Sequence, residues 1–154
     1  MKIRVAEPAD LPKIIELIKK DKEPLNEDLG AIFNFEGPNE KCRFFVAEGN
    51  GEIVGFERVH FYRWNRSAYV INLLVDIDYR RRGMGSLLLK TMEDFARENG
   101  ARVIMFDTAI DNIPALNLYF KNGFKICGYN EKLYDNAKTA LYLPRNCEKA
   151  FLWR

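Results

Sequence analysis

The stretch LLVDIDYRRRGMGS, residues 73–86, carries the strongest structural signal in this chain. Its apolar beginning is typical of a buried strand, and its end, Arg80-Arg81-Arg82-Gly83-Met84-Gly85-Ser86, opens an amphipathic helix that ends at Asn99-Gly100. Because the two glycines lack a Cβ, a ligand can approach the amide N–H groups of this junction closely. A helix N-terminus leaves such groups without internal partners and carries about half a positive charge. The junction therefore predicts an anion site, most naturally for a phosphate or pyrophosphate.

Two familiar nucleotide-binding motifs do not describe this junction. A P-loop needs the pattern GxxxxGK[ST], which occurs nowhere in the sequence. A dinucleotide-binding loop needs GxGxxG, and here Leu88 occupies the position of the third glycine. What remains is the pattern Arg80-x-x-Gly83-x-Gly85 directly after a strand.

Outward from this junction, the hydrophobic pattern predicts one mixed α/β domain over residues 1–154, because no repeat or linker interrupts the chain. The Gly49-Asn50-Gly51 run predicts a tight hairpin. The predicted element order is β, α, α, β, β, β, α, β, α, β, β. Strands are predicted at residues 2–6, 43–48, 52–62, 68–75, 101–107, 124–129 and 139–143, and helices at 11–20, 24–35, from 80–86 to 99, and 113–121.

The composition argues against several functional classes. The chain has 24 Lys plus Arg against 22 Asp plus Glu, so a nucleic-acid partner held by bulk positive charge is not expected. One His and three widely spaced Cys provide too few ligands for a Cys/His zinc site, and no metal is predicted. The N-terminal segment lacks an apolar signal region, and no apolar run approaches the ~20 residues of a membrane helix. These features predict a cytoplasmic protein without a membrane or nucleic-acid partner.

The junction resembles the acetyl-CoA motif of the Gcn5-related N-acetyltransferase (GNAT) superfamily, Arg/Gln-x-x-Gly-x-Gly/Ala between a central strand and a helix. Residues 112–124, NIPALNLYFKNGF, resemble the second motif of that superfamily, Asn-x-x-Ala-x-x-Leu-Tyr-x-x-x-Gly-Phe. Both motifs occur in the right order and at the right spacing. The residues that match the second motif are Asn112, Ala115, Leu118, Tyr119, Gly123 and Phe124.

This resemblance implies a central sheet, mixed but mostly antiparallel, with a splayed pair of parallel strands and helices on both faces. In the family the central strand leaves its neighbour after a bulge, and its free backbone pairs with the pantetheine arm of acetyl-CoA. Here that role falls on Leu73, Leu74 and Val75. The backbone amides of Arg81 through Ser86 would hold the pyrophosphate, and Asn112 would contact the pantetheine.

The resemblance also implies catalytic residues. Tyr119 corresponds to the usual general acid, which protonates the departing CoA thiolate. The acceptor amine, with a pKa of about 10.4, must lose a proton before it attacks, and a carboxylate can take that proton. Some family members carry a Glu eleven residues before the motif Arg, where this chain has Tyr69. Asp107 falls where the ribosomal-protein alanine acetyltransferase branch has a Glu, and Glu57, Glu36 or a water chain are the alternatives for the base.

The resemblance predicts an acetyl-CoA-dependent N-acetyltransferase in which a primary amine attacks the acetyl group directly in a ternary complex. The closing segment, residues 123–143, resembles the streptothricin acetyltransferase branch and favours a small cationic amine, such as an antibiotic or a polyamine-like molecule. Asp107 favours a protein N-terminal amine instead. A non-catalytic acyl-CoA-binding sensor or regulatory module of the same fold is the alternative from another class. Trp153 is a candidate contact for a homodimer.

Overall fold

The computed structural model describes residues 1–21 and 28–147. Within them, the strands form one seven-stranded sheet in the order β1-β2-β3-β4-β5-β7-β6. β4 and β5 are parallel, and the other neighbouring pairs are antiparallel. The predicted mixed sheet and the predicted element order are confirmed. The elements are β1 Lys2–Val5, α1 Leu11–Lys20, α2 Leu29–Ile32, β2 Glu40–Gly49, β3 Glu52–Tyr62, β4 Ser67–Val75, α3 Met84–Glu98, β5 Val103–Ala109, α4 Ile113–Lys121, β6 Gly128–Asn130 and β7 Ala140–Asn146.

A bulge interrupts the pairing of β3 with β4. Arg58 lies opposite Asn72, and the next residue, Val59, lies opposite Val70, so that Ile71 has no counterpart on β3. The extra residue lengthens β4 locally, and such an insertion bends a strand and increases its twist. The bulge therefore changes the direction of the central strand in the middle of the sheet.

β4 separates from its parallel neighbour at this bulge. Ser67–Val70 pairs with Val103–Phe106, and the pairing of the two strands ends there. β5 pairs with β7 from Val103 to Ala109, and its first position beyond the pairing with β4 is Asp107, opposite Tyr142. The segment of β4 at residues 71–75 thus has a backbone edge on the β5 side that no strand of the described residues covers, which is the splayed arrangement that the resemblance implies.

The two faces of the sheet are covered by different helices. Because side chains alternate along a strand, Phe44 and Phe56 pack against α1, whereas Phe45 and Val59 lie on the opposite face, which α3 covers. α1 presents buried residues at helical spacing, namely Ile14, Leu17 and Ile18. α3 and α4 share the second face, with buried residues that include Met84, Leu88, Met92, Phe95, Leu116 and Tyr119. In the described part of the chain, no helix combines the length and the apolar character needed to cross a membrane.

The helix predicted over residues 24–35 is wrong after Ile32. α2 is a single turn that ends there, and the predicted residues 24–27 lie outside the described residues. Asn34 adopts a left-handed φ of 49° and uses its side chain to bind the backbone of the sheet, donating to Ala6 O at 3.0 Å and accepting from Phe44 N at 2.9 Å. These tertiary hydrogen bonds end the helix where the apolar spacing alone would have continued it.

The strand predicted at residues 124–129 begins late and is short. β6 covers only Gly128–Asn130, because Phe124 turns into the core directly after α4 and packs edge-on against Phe106, with 5.0 Å between ring centroids. Phe124, whose apolar side chain suggested a strand, instead makes a core contact directly after the end of α4. β7 extends further than predicted, to Asn146, and Trp153 lies outside the described residues.

Glu57 is an acidic side chain enclosed in the core. It is 0% exposed, and neither carboxylate oxygen has a hydrogen-bond partner among the described residues. Burial raises the pKa of Glu57 well above its ordinary value of 4.5. The native protein therefore holds this group as a neutral acid, at a cost in stability.

We predict that Glu57→Gln removes a pH dependence of stability. Because the pKa of Glu57 is higher in the folded than in the unfolded protein, its contribution to stability is most favourable in acid. This contribution is lost as the pH rises through the unfolded-state pKa towards the folded-state pKa. We therefore expect urea unfolding to give a free energy of unfolding for the Glu57→Gln variant that is higher, relative to that of the parent, at pH 8 than at pH 5. Glu57→Met, which also removes the unpaired polar atoms, will raise the free energy of unfolding at pH 8 by about 1–3 kcal/mol. Parallel pH profiles for the parent and the Glu57→Gln variant would contradict the burial of a neutral acid.

Candidate functional site

The junction between β4 and α3 presents backbone donors without protein acceptors. Gly83 is the N-cap of α3 with a φ of 81°, and it makes no side-chain cap. The first helical hydrogen bond runs from Leu87 N to Gly83 O at 3.0 Å. In the described structure, no acceptor lies on the N–H groups from Arg81 to Ser86. This row of free donors, at the positive end of a 15-residue helix, fits an anionic group with several oxygens.

The two glycines of the motif have different structural roles. A Cβ at Gly83 would meet nothing within 4 Å, so this position adjoins open space at the N-terminus of α3. A Cβ at Gly85 would lie 3.0 Å from Leu118 Cδ2. Gly83 therefore allows the left-handed turn and leaves room for a ligand, whereas Gly85 allows α3 to pack closely against α4.

The three arginines also differ. Arg80 donates through Nε to Val75 O at 2.8 Å and through Nη2 to Asp21 Oδ1 at 2.7 Å. It thus joins the end of β4 to the end of α1, and Asp21 balances its charge. Arg81 and Arg82 are exposed beside the free amides, so they supply the positive charge that a phosphate would meet.

The last turn of α1 contacts the segment that joins β4 to α3. Lys20 Nζ donates to both carboxylate oxygens of Asp76, at 2.8 and 2.9 Å. Lys20 holds the pKa of Asp76 below its ordinary value, which keeps this carboxylate charged at neutral pH. Asp76 in turn accepts from Asp78 N at 3.1 Å and fixes the first turn after β4.

Asn112 begins α4 close to the open side of the sheet. Its side-chain oxygen accepts from Ala115 N at 3.3 Å, so it caps the helix. The side chain is exposed, and its amide nitrogen faces no described partner. Capping is therefore the role that the structure gives to Asn112, and contact with a pantetheine arm stays a prediction.

Tyr119 lies behind the point where the strands separate. Its ring stacks on Phe106 with 4.2 Å between centroids, and Phe106 is the last residue of β5 that pairs with β4. The residue is 6% exposed. Its position next to the separation agrees with the predicted site, whereas its role as a general acid stays a prediction.

Asp107 lies on the opposite face from Tyr119 and accepts two hydrogen bonds. Tyr69 donates to Oδ2 at 2.6 Å, and Tyr134 donates to Oδ1 at 2.5 Å. The sequence reasoning missed both of these partners. Alternation along the strands would have placed Tyr69 beside Asp107 once the register was known, but no sequence signal connects Tyr134, on the β6–β7 loop, with either residue.

The two alternative carboxylates lie elsewhere. Glu57 lies opposite Leu73, on the face that α3 covers. Tyr69 lies opposite His60, and side chains alternate along β3, so that His60 and Tyr69 lie on the other face of the sheet from Glu57. Glu36 lies 2.7 Å from Lys41, which holds its pKa below the ordinary value. Asp107 is the one of the three named carboxylates that lies where the strands separate.

The loop between β6 and β7 frames an open cavity of about 400 Å³. Tyr134, which binds Asp107, is one of its lining residues, so the cavity adjoins the separation of the strands. Two carboxylates and one ammonium group also line it, from Glu131, Asp135 and Lys132. Among residues 1–21 and 28–147, no group of His, Cys, Asp or Glu is arranged to hold a metal ion.

Comparison with known proteins gives one consistent result. The family model described as "Acetyltransferase (GNAT) family" matches residues 11–124. Streptothricin acetyltransferase of Streptomyces lavendulae is 33% identical over 145 residues, which cover 91% of this chain and 74% of that protein. An N-alpha-acetyltransferase of Sulfurisphaera tokodaii is 32% identical over 129 residues, which cover 76% of this chain and 77% of that protein. The crystal structure of a putative streptothricin acetyltransferase from Bacillus anthracis, in complex with acetyl coenzyme A, superposes with a TM-score of 0.77 at 24% identity, covering 94% of this chain and 98% of that one.

We predict that Gly83→Ala weakens the binding of coenzyme A by about tenfold or more, equivalent to about 1.4 kcal/mol, because the added methyl group enters the open space at the N-terminus of α3. Calorimetric titration with coenzyme A measures this change. Gly51→Ala is a matched control, since Gly51 also has a φ near 80° with nothing within 4 Å of its Cβ, but lies in the β2–β3 hairpin. Both substitutions will cost about 1–2 kcal/mol of stability through backbone strain. Equal coenzyme A affinities in the two variants would show that the junction is not the anion site.

Proposed function

This chain belongs to the acetyltransferase (GNAT) family, and we propose that it transfers the acetyl group of acetyl-CoA to the primary amine of a small cationic molecule in a ternary complex. The observation that carries the proposal is the succession of two backbone surfaces that are largely without partners in the described structure. The open edge of β4 at Leu73–Val75, where Val75 O accepts from Arg80 Nε, is followed after the turn at residues 76–80 by the free amides of Arg81–Ser86. A ligand with an amide-containing arm and a diphosphate matches both surfaces in that order.

The binding of acetyl-CoA is supported by the chemistry of each part. An extended pantetheine arm can hydrogen-bond to the free edge of β4 as another strand would. The free amides and the helix dipole suit the pyrophosphate, and the exposed Arg81 and Arg82 side chains add positive charge. Arg80 contributes by bracing the end of β4 through Val75 O. The structural relative from Bacillus anthracis, solved in complex with acetyl coenzyme A, supports the same ligand.

The transfer requires that negative charge be stabilised on two atoms, the thioester oxygen and the departing sulfur. A backbone N–H of β4 near Leu73 can stabilise the negative charge that develops on the thioester oxygen. The sulfur leaves as a thiolate, whose conjugate thiol has a pKa of about 8.5, so that it needs less help than an alkoxide. Tyr119 would deliver the proton that this sulfur finally carries. Its ring is held by stacking on Phe106, which would restrict the hydroxyl to a small region.

The proton lost by the acceptor amine would go to Asp107. This carboxylate lies where β4 and β5 separate, which is where the acetyl group would end if the pantetheine follows β4 inward from the junction. Its two tyrosine partners hold it in one orientation. A general base in a fixed position typically contributes ~10²–10⁴-fold to the rate.

A small cationic acceptor is supported by charge and by similarity. Asp107, together with Glu131 and Asp135 in the adjoining cavity, outweighs the single positive charge of Lys132 there and favours a positively charged ligand. The Streptomyces relative, named for its action on streptothricin, aligns over 91% of this chain. A protein N-terminal amine is the second candidate, favoured by the similarity to the N-alpha-acetyltransferase of Sulfurisphaera tokodaii. The cytoplasmic location and the homodimer remain predictions from the sequence.

The experiment that tests the proposal is the release of free thiol from acetyl-CoA across a panel of amines. The panel contains streptothricin-type antibiotics, polyamines and peptides with free N-terminal alanine or serine. We predict turnover with a small cationic amine and a much lower rate with the peptides, because the similarity to streptothricin acetyltransferase covers more of this chain than the similarity to the N-alpha-acetyltransferase. Turnover with the peptides alone would favour the protein acceptor. Tight binding of acetyl-CoA with no thiol release from any amine would favour a non-catalytic acyl-CoA-binding module.

We predict that Tyr119→Phe lowers kcat by roughly 10²-fold and changes the affinity for acetyl-CoA little. The substitution keeps the stacking on Phe106 and removes only the hydroxyl that would protonate the sulfur. Steady-state rates and the dissociation constant for acetyl-CoA are compared between parent and variant. Phe120→Tyr, at an exposed neighbour on α4, serves as a control for changes in the helix itself. An unaltered kcat in the Tyr119→Phe variant would remove Tyr119 from the proton transfer.

A further inference from the structure

Three side chains from separate elements meet where β4 and β5 part. Tyr69 belongs to β4, Asp107 to β5 and Tyr134 to the β6–β7 loop. The two tyrosine hydroxyls donate to different oxygens of the carboxylate, at 2.6 and 2.5 Å. All three residues are half-buried rather than enclosed, so a ligand entering the separation can reach them.

The Tyr69–Asp107 hydrogen bond crosses the apex of the separation. Val70 and Phe106 form the last paired position of the two strands, Tyr69 precedes that position and Asp107 follows it. The side chain of Tyr69 therefore reaches forward, past the end of the pairing and towards the open side. The bulge at Ile71 begins two residues after Tyr69. These two residues are consequently placed next to the atoms that would react.

Each oxygen of Asp107 accepts one tyrosine hydroxyl and keeps a second lone pair. Because a hydroxyl lies beside each oxygen, an amine that approaches the carboxylate also comes next to a tyrosine hydroxyl. The oxygen of Tyr69 is available to such an amine, because a hydroxyl that donates one hydrogen bond can still accept others. The acceptor nitrogen can therefore make its contact with the Tyr69 oxygen, which reaches towards the open side.

We propose that Tyr69 is a catalytic residue that relays a proton from the acceptor amine to Asp107. This proposal rests on the proposed function, since it requires amine acetylation. It gives Tyr69 the contact with the nitrogen and makes Asp107 the final site of the proton.

Atoms and charge balance in the relay. The acceptor binds as an ammonium ion, and one N–H proton moves to Tyr69 Oη while the hydroxyl proton of Tyr69 moves to Asp107 Oδ2. The products are a neutral amine, an intact tyrosine and a neutral aspartic acid. The nitrogen lone pair then forms the C–N bond, the C–S bond breaks, and its electron pair leaves with the sulfur. Tyr119 gives its hydroxyl proton to that sulfur, a second N–H proton released from nitrogen restores the Tyr119 hydroxyl through water, and Asp107 returns its proton to water.

The surroundings keep Tyr69 in the hydroxyl form that a relay needs. Burial, followed by the hydrogen bond and the charge of Asp107, raises the pKa of Tyr69 above its ordinary value of 10.0. Tyr69 therefore passes protons on without becoming a stable phenolate. The titratable or charged groups that face the pair from the neighbouring elements are Arg58, His60 and Tyr62 on β3, Tyr142 on β7 and Tyr134 on the loop.

The first test is Tyr69→Phe, which keeps the ring and removes the relay atom. Rates are measured from pH 6 to pH 10 with the best amine of the panel. We expect kcat/KM for the amine to fall roughly 10²-fold near pH 7, while KM for acetyl-CoA stays the same. The deficit should shrink as pH approaches the pKa of the amine, about 10, because a neutral amine no longer needs the relay. A deficit that is constant across pH would mean a structural role and would overturn the relay.

Tyr62→Phe is the matched control. It removes a hydroxyl from a tyrosine on the same face, and no hydrogen bond joins Tyr62 to Asp107 in the described structure. Its rates should stay within about twofold of the parent at every pH, a difference of about 0.4 kcal/mol. If the parent is active and Tyr69→Phe matches it at every pH, the relay is wrong and the proposed function stands. If the parent acetylates no amine, the proposed function and the relay fall together.

A second measurement does not depend on activity. Thermal unfolding midpoints are compared for Tyr69→Phe, Asp107→Ala and the double variant, all without ligand. Residues in direct contact give non-additive effects, so the double variant should lose less than the sum of the single losses. Additive losses would show that the two side chains are not hydrogen-bonded in solution, and would overturn the relay.

Discussion

The bulge at Ile71 is the feature on which the site depends. One residue without a counterpart on β3 bends β4, and the bent strand leaves β5 after four paired residues. A regular sheet would have used the backbone edge at Leu73–Val75 in pairing with β5. The separation instead leaves that edge without a neighbouring strand, directs the chain into the junction before α3, and places Tyr69 and Asp107 on either side of the gap. The candidate ligand edge, the candidate anion site and the candidate acid–base groups all depend on this one local irregularity.

The two faces of the sheet place their acidic residues in opposite environments. Glu57, on the α3 face, is sealed from solvent without a hydrogen-bond partner in the described structure and is held neutral. Asp107, on the α1 face, is half-exposed and receives two hydroxyl donors. The sequence alone shows two carboxylates near the centre of the sheet. Only the phase of each residue along its strand separates a group that weakens the fold from one that can take part in chemistry.

Support for the anion site comes from a distant part of the chain. The glycines and arginines of the junction were visible in the sequence, yet Arg80 is held by Asp21 and Asp76 by Lys20, both from the last turn of α1. The motif arginine is therefore a brace, and the charge offered to a ligand comes from its two neighbours. Motif spacing identifies such a loop, whereas the partners that hold it are set by which helix packs beside it.

By itself, the sequence determined the element order, the hairpin at Asn50-Gly51, the glycine-containing junction between β4 and α3, and the family, because these depend on local periodicity, on glycine conformation and on short motifs. It overestimated the helix before Phe35 and the strand after Phe124, because the side chains of Asn34 and Phe124 make their decisive contacts with distant strands and helices. The pairing of Tyr69 and Tyr134 with Asp107 was decided only in the tertiary structure. Strand register places Tyr69 beside Asp107, which is 38 positions away in the sequence, and loop closure places Tyr134 beside Asp107, 27 positions away. No local sequence pattern encodes these two contacts.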